Sequence, residues 1–274
     1  MKNMEIKVVV DNSVHKGQLL AEHGLSFWIK LGNKQYLFDT GQGLVLENNL
    51  KELGIKIDEL NGILLSHGHY DHAGGLKSLL KARPDLKLYG HSNIFFPKYS
   101  QKSSGQTDRG MKITRDDVQN FIPVNEAKEI EPGLWMTGEI ELDNREEIMR
   151  SDYKLKVNDE LKVDYFKDDQ ASFIETKAGI VVLLGCSHSG VINTLDYIKK
   201  LTAGKKIAAI IGGMHLINAD TEEIDAIIDY LKGLDFDLLV PLHCTGFKAA
   251  AKMNSVFKDK VAAGGVGEKF AFQL

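Results

Sequence analysis

Four side chains able to ligate a metal fall within six residues, His67, His69, Asp71 and His72, in the run Ser66-His67-Gly68-His69-Tyr70-Asp71-His72. Neutral imidazole suits zinc and related first-row metals, and a carboxylate adds charge without redox chemistry. The run follows directly on the apolar stretch Ile63-Leu64-Leu65. That stretch reads as a short buried strand, and a loop leaving a strand end can turn several side chains toward one point. Gly68 would let the backbone bend between the first two imidazoles, and Gly74-Gly75 would let the next helix start close beneath them.

A metal centre draws ligands from elsewhere in a chain as well. His188 and His243 each stand at the C-terminal end of an apolar run, just ahead of a glycine and a helical pattern. Open α/β sheets carry their sites at such strand ends. Two sets of three follow: His67, His69 and His188 for one metal, Asp71, His72 and His243 for a second. Each set leaves a position open to water, the arrangement of catalytic rather than structural sites. His215 ends a third run in Gly212-Gly213-Met214-His215. It is read as a spare ligand, a proton donor, a contact for an anionic substrate, or an imidazole bonded to backbone. Cys186 and Cys244 adjoin presumed ligands and are read as small buried filler.

The elements that would place these groups form two arms. In the first, strands are expected over Ile6–Val10, Leu25–Leu31 and Gln35–Phe38, the last two joined through a Gly32-Asn33 turn. An amphipathic helix over Leu44–Leu53 should end at Gly54 in a left-handed conformation, and Leu76–Ala82 reads as a helix stopped before Pro84. The second arm repeats strand, loop and helix: Gly179–Leu184 with a helix at Val191–Leu201, then Ile207–Ile211 with a helix capped by Asp220 and Glu223, then Leu238–Val240 and a last helix. Strands buried on both faces call for helices on both sides, a layered α/β architecture. The middle, about 91–177, is expected as an insertion over the shared edge of one domain spanning 1–274. Its polar stretch from Lys98 to Lys112 is expected as a lid or binding loop.

His67-x-His69-x-Asp71-His72 followed by Gly74-Gly75 resembles the signature of the metallo-β-lactamase superfamily, and Phe38-Asp39-Thr40-Gly41 resembles its early strand-turn element. The resemblance implies an αββα sandwich of two mixed sheets with a one- or two-metal site at their edge, and Asp39 bracing the metal loop. The segments Ala21-Glu22-His23-Gly24, Gly185-Cys186-Ser187-His188-Ser189-Gly190, Gly212-Gly213-Met214-His215 and Pro241-Leu242-His243-Cys244-Thr245-Gly246 are similar to one branch. That branch is named for 7,8-dihydropterin-6-yl-methyl-4-(β-D-ribofuranosyl)aminobenzene 5′-phosphate synthase. It implies that Glu22 and His23 face the cleft. Many two-metal members carry a bridging aspartate between the third and last histidine motifs; here Gly213-Met214-His215 offers no acidic residue.

The chemistry expected is hydrolysis by metal-activated water of an ester, foremost a phosphoester, in a small metabolite, with Asp71 and His215 as catalytic groups. Lys98, Lys102, Arg109 and Lys112, together with Glu22 and His23, are the expected substrate contacts. Pterin condensation of the synthase type is the alternative enzyme, and a non-catalytic metal-bound sensor of small molecules the alternative binding protein. The cofactor expected is Zn2+, one or two per chain, with manganese or iron also compatible with the ligand types. With 274 residues, 43% of them hydrophobic and 26% charged, the chain suits one large globular domain. A net charge of -4 speaks against a nucleic-acid partner. No apolar run approaches the roughly 18 residues that cross a bilayer. A small, anionic substrate, no membrane and a cytoplasmic location are expected, with the oligomeric state open.

Overall fold

The computed structural model describes residues 3–142 and 152–274. The first arm contains β1 (Asn3–Val10), β2 (Ser26–Leu31), β3 (Lys34–Phe38), α1 (Leu46–Glu52), β4 (Gly62–Leu64), α2 (Tyr70–Ala73), α3 (Leu76–Ala82) and β5 (Leu88–Gly90). Then come β6 (Lys98–Lys102), β7 (Gly105–Asp108), β8 (Phe121–Pro123), β9 (Lys128–Glu131), β10 (Leu134–Met136), β11 (Tyr153–Val157) and β12 (Glu160–Val163). The second arm has β13 (Ser172–Thr176), β14 (Gly179–Leu184), α4 (Val191–Leu201), β15 (Ile207–Gly212), α5 (Thr221–Lys232), β16 (Leu238–Pro241), α6 (Gly246–Phe257) and β17 (Lys269–Gln273).

Two mixed sheets carry the fold. One runs β17-β1-β2-β3-β4-β5-β8, antiparallel up to β3 and parallel from there to β8. The other runs β16-β15-β14-β13-β10-β9, parallel across its first three strands. Strand alternation explains how they face one another. Met4, Ile6 and Val8 of β1 share a core with Val181 and Leu183 of β14, between the sheets. Val9, on the opposite face of β1, packs with Leu46 and Leu50 of α1 and Leu76 and Leu79 of α3. Val182 and Leu184 pack with residues of α4, α5 and α6. The order of layers is helix, sheet, sheet, helix, as expected.

Local rules hold at the helix ends. Asp220 accepts the Glu223 N–H at 2.8 Å while Glu223 accepts the Asp220 N–H at 3.1 Å. Gly54 follows α1 with φ +70. The middle differs from its expected form. Instead of one insertion, β8 closes the first sheet while β9, β10 and β13 belong to the second. The Lys98–Lys112 stretch is the β6–β7 hairpin, which joins β11 and β12 in a separate four-stranded antiparallel sheet. Its alternation is hard to read because side chains of β7 are exposed on both faces. Residues 143–151 of the expected insertion lie outside the described residues. Among the described residues, no helix is long and apolar enough to cross a membrane.

Apart from Gly54 itself and its two chain neighbours, no heavy atom of the described residues lies within 4 Å of a Cβ built on Gly54. Gly54→Ala should therefore cost only the left-handed conformation, about 1–2 kcal/mol. A lower urea midpoint at unchanged denaturant slope is the expected result.

Candidate metal centre

The first metal loop leaves β4 under tight backbone control. Ser66 N–H donates to Asp39 Oδ1 at 2.7 Å, and Gly68 N–H donates to Asp168 Oδ2 at 2.9 Å. Gly68 has no left-handed φ; a Cβ there would collide with the Ile94 carbonyl. Its glycine is required by close approach rather than by a bend.

Three ring nitrogens converge at the head of this loop. His69 Nδ1 lies 3.0 Å from His67 Nε2 and 3.2 Å from His188 Nε2. A second group meets beside it, with His72 Nε2 3.2 Å from His243 Nε2, which is 3.6 Å from Asp71 Oδ2. Both expected sets are thus brought together. The hydrogen bonds behind the rings set their tautomers. Ser66 Oγ lies 2.7 Å from Asp39 Oδ2, to which it donates, so the 2.9 Å contact with His67 Nδ1 is donated by the ring. His72 Nδ1 donates to Asp39 Oδ2 at 2.7 Å, and His243 Nδ1 donates to Asn12 Oδ1 at 2.8 Å. In the neutral form that ligates a metal, each of these three rings turns a bare Nε2 lone pair inward. Lone pairs facing each other at 3.2 Å repel unless a cation lies between them, so the donor set fits a divalent metal.

Burial shapes the charges. It lowers the pKa of His67 and His188, takes His69 to about 3 and His243 to about 4, and so favours the neutral, ligating form of each. Burial acts the same way on His72, but Asp39 outweighs it and raises that ring to about 9. Burial by itself would raise Asp71. The bond from His23 and the neighbouring His72 and His243 instead hold it below the usual carboxylate range. His23 Nε2 stands 3.1 Å from Asp71 Oδ2, and His23 is raised chiefly by that bond.

Strand ends supply the geometry. Asp39 after β3, Ser187 after β14, His215 after β15 and His243 after β16 all have positive φ, between +48 and +61. Such strain costs about 1–3 kcal/mol at each non-glycine residue and clusters at functional sites. His215 packs on His188 with ring centres 4.3 Å apart, and its buried Nδ1 has no hydrogen-bond partner among the described residues. Both line a cavity of about 290 Å3 walled by Tyr153, Phe166, Met214 and Leu216.

Residues 20–191 match the metallo-β-lactamase superfamily. The chain belongs to that superfamily. It is 34% identical over 259 residues to an uncharacterized protein of Methanocaldococcus jannaschii, covering 92% of this chain and 94% of the relative. It is 30% identical over 264 residues to 7,8-dihydropterin-6-methyl-4-(beta-D-ribofuranosyl)-aminobenzene-5'-phosphate synthase of the same organism, covering 91% and 90%. Among solved structures it is similar to Tm1679, described as a metal-dependent hydrolase of the β-lactamase superfamily. The TM-score is 0.85 at 30% identity, covering 97% of this chain and 98% of that one.

Other expected contacts of this metallo-β-lactamase-fold protein fall elsewhere. Lys98 is no lid cation. It is 1% exposed, and its Nζ lies 2.9 Å from Asp164 and 2.8 Å from Asp168. Burial opposes its charge, but the two carboxylates outweigh this and raise its pKa. Glu22 does not face the cleft: its carboxylate accepts the N–H groups of Gly43, Leu44 and Val45 ahead of α1. Lys102 and Lys112 are exposed, Lys112 paired with Asp108. Arg109 Nε donates to Ser100 Oγ at 3.0 Å. None of these four cations lines the cavity at His188. The β6–β7 region serves as a buttress instead, since Tyr70 N–H donates to the Arg109 carbonyl and Met111 N–H to that of Gly68.

Sequence reasoning missed four supports: Asp11, Asn12, Asp168 and Asp169. Asp11 accepts the His243 N–H at 2.8 Å, and Asp169 accepts the Ser189 N–H at 2.8 Å. Adjacent Asp168 and Asp169 thus hold the two histidine loops from one segment. The run Lys167-Asp168-Asp169-Gln170 was a visible signal, but it resembles any solvated turn.

Asp39→Asn removes the carboxylate that orients His72 and should weaken metal binding about 10–100-fold, measured by chelator competition. Lys98→Met leaves two buried carboxylates without their cation. A loss of about 3–5 kcal/mol in urea unfolding is expected.

Proposed function

We propose that the protein is a zinc-dependent hydrolase that uses activated water to cleave an ester, foremost a phosphoester, of a small anionic metabolite with an apolar or aromatic portion. The observation that carries this reading is the pair of adjacent ligand groups, His67, His69 and His188 beside Asp71, His72 and His243, with His188 also lining a cavity that has aromatic walls. When bound there, a divalent metal supplies a water of pKa near ~7 and polarises the bond under attack.

The chain's own residues divide the remaining work. Asp71, held ionised, accepts the proton of the attacking water. His23, half-exposed, donates its Nε2–H to Asp71 at 3.1 Å and holds that carboxylate in place. His215 offers its unpartnered Nδ1 to the leaving oxygen or to an anionic oxygen of the substrate. Tyr153 and Phe166 present rings against which an apolar portion can lie, with Phe166 stacked on His188 at 4.3 Å. A larger hollow of about 560 Å3 contains Glu126, Glu139 and Glu141 and none of the metal-centre residues, which disfavours it for an anion.

A second reading, pterin condensation of the synthase type, is favoured by the relative of that name and by the same aromatic walls, which suit a planar ring system. The test is a turnover screen of zinc-loaded protein on phosphodiester, phosphomonoester, lactone and thioester probes. Chelator-sensitive phosphoester cleavage is expected, with a loss of at least about 100-fold in the double variant His67→Ala/His69→Ala. Unchanged turnover in that variant would sink the hydrolase reading. No turnover on any probe, with pterin condensation observed, would establish the second.

A further inference from the structure

We infer that Cys186 is a metal ligand, a thiolate lying between the two ligand groups where this chain lacks a bridging carboxylate. The inference rests on the metal-centre reading above and adds to it a residue and a metal class. Cys186 follows β14 and Gly185, two residues before His188 on the same strand-end loop. Its sulfur is buried, yet it is not surrounded as filler would be. Sγ lies 3.1 Å from His72 Nε2. It is also within 4.8 Å of ligating atoms of His67, His188, His215, His243 and Cys244. One sulfur therefore reaches both imidazoles of one group and two of the other.

Among the described residues, no carboxylate supplies this position, and the one other thiol nearby, Cys244, shares only the group of Cys186 and His243. Asp71 approaches the second group from the side of His23 and His243. The end of β15 has no acid, and a Cβ on Gly213 would already crowd the Cys244 sulfur at 2.7 Å. Cys244 is engaged differently, its Sγ accepting the His215 N–H at 3.2 Å. That contact makes Cys244 a support for the His215 turn, and its sulfur groups with one imidazole, His243, whereas that of Cys186 groups with those of both ligand sets.

Ligation replaces the S–H bond by a sulfur–metal bond and releases one proton to water, with no change of oxidation state. A soft thiolate added to imidazoles selects zinc, iron or cobalt over manganese and magnesium. With Cys186, the second group becomes Asp71, His72, His243 and one sulfur, a full four-coordinate set of protein donors.

The experiment is cobalt substitution of the full-length protein followed by absorption spectroscopy, on wild type, Cys186→Ser and Cys244→Ser. Circular dichroism and visible ligand-field bands report that each variant is folded and loaded. Wild type should show a thiolate-to-cobalt charge-transfer band in the near ultraviolet, retained in Cys244→Ser and absent from Cys186→Ser. The affinity of Cys186→Ser for the second cobalt should fall at least about tenfold, since loss of a direct ligand costs no less than loss of a supporting residue. Loaded wild type without the band, a band that survives in Cys186→Ser, or its loss from Cys244→Ser would each overturn the assignment. If wild type takes up no cobalt, the metal-centre reading itself fails, whereas cobalt bound without the band refutes the role of Cys186 and leaves that reading standing.

Discussion

The structure depends on holding imidazoles in a dry place with their lone pairs aimed at one another. Left alone, such rings would rotate or take up protons, because nothing in an apolar interior compensates opposed lone pairs. At His67, His72 and His243 the inner nitrogen is instead governed from the outer one. Asp39 accepts from Ser66 and His72, Ser66 accepts from His67, and Asn12 accepts from His243. Orientation is thus imposed by hydrogen bonds from behind, and cation affinity follows from it.

Those outer groups must themselves be immobile, and the fold achieves this with charges buried in pairs. Lys98 between Asp164 and Asp168 links the β6–β7 hairpin to the first metal loop through the Gly68 N–H. A buried ion triad is a weak source of net stability, but once formed it tolerates no loss of a partner. Its effect here is positional. The hairpin whose polarity suggests a lid is fastened to the loop it was expected to cover, and the cavity lies beside Tyr153 and Phe166 instead.

Strain concentrates in the same region. Four strand ends turn through left-handed conformations at non-glycine residues, and three of them belong to the successive parallel strands β14, β15 and β16. Parallel strands deliver equivalent loops to one sheet edge, so a sharp turn at each brings His188, His215 and His243 to a common height. Cys186 reaches the centre by the same route. The result is a site dense in nitrogen and sulfur, beside the cavity walled by Tyr153 and Phe166.

By itself the sequence determined the superfamily, the layered architecture and six side chains that the fold brings together. Those features are local: four candidate ligands packed into one loop, short continuous apolar runs, a reciprocal cap at Asp220 and Glu223, and a terminating Gly54. Only the tertiary structure decided the roles that depend on partners distant in the chain. Lys98 reads as a free cation until residues 66 and 70 positions away neutralise it. Glu22 reads as a cleft residue until the backbone at Gly43–Val45 claims its carboxylate. Cys186 reads as filler until the second sheet carries it among the imidazoles. A side chain's chemistry is written in its own atoms, but whether it is spent on a neighbour or left open to a metal or substrate depends on which surfaces the two sheets bring together.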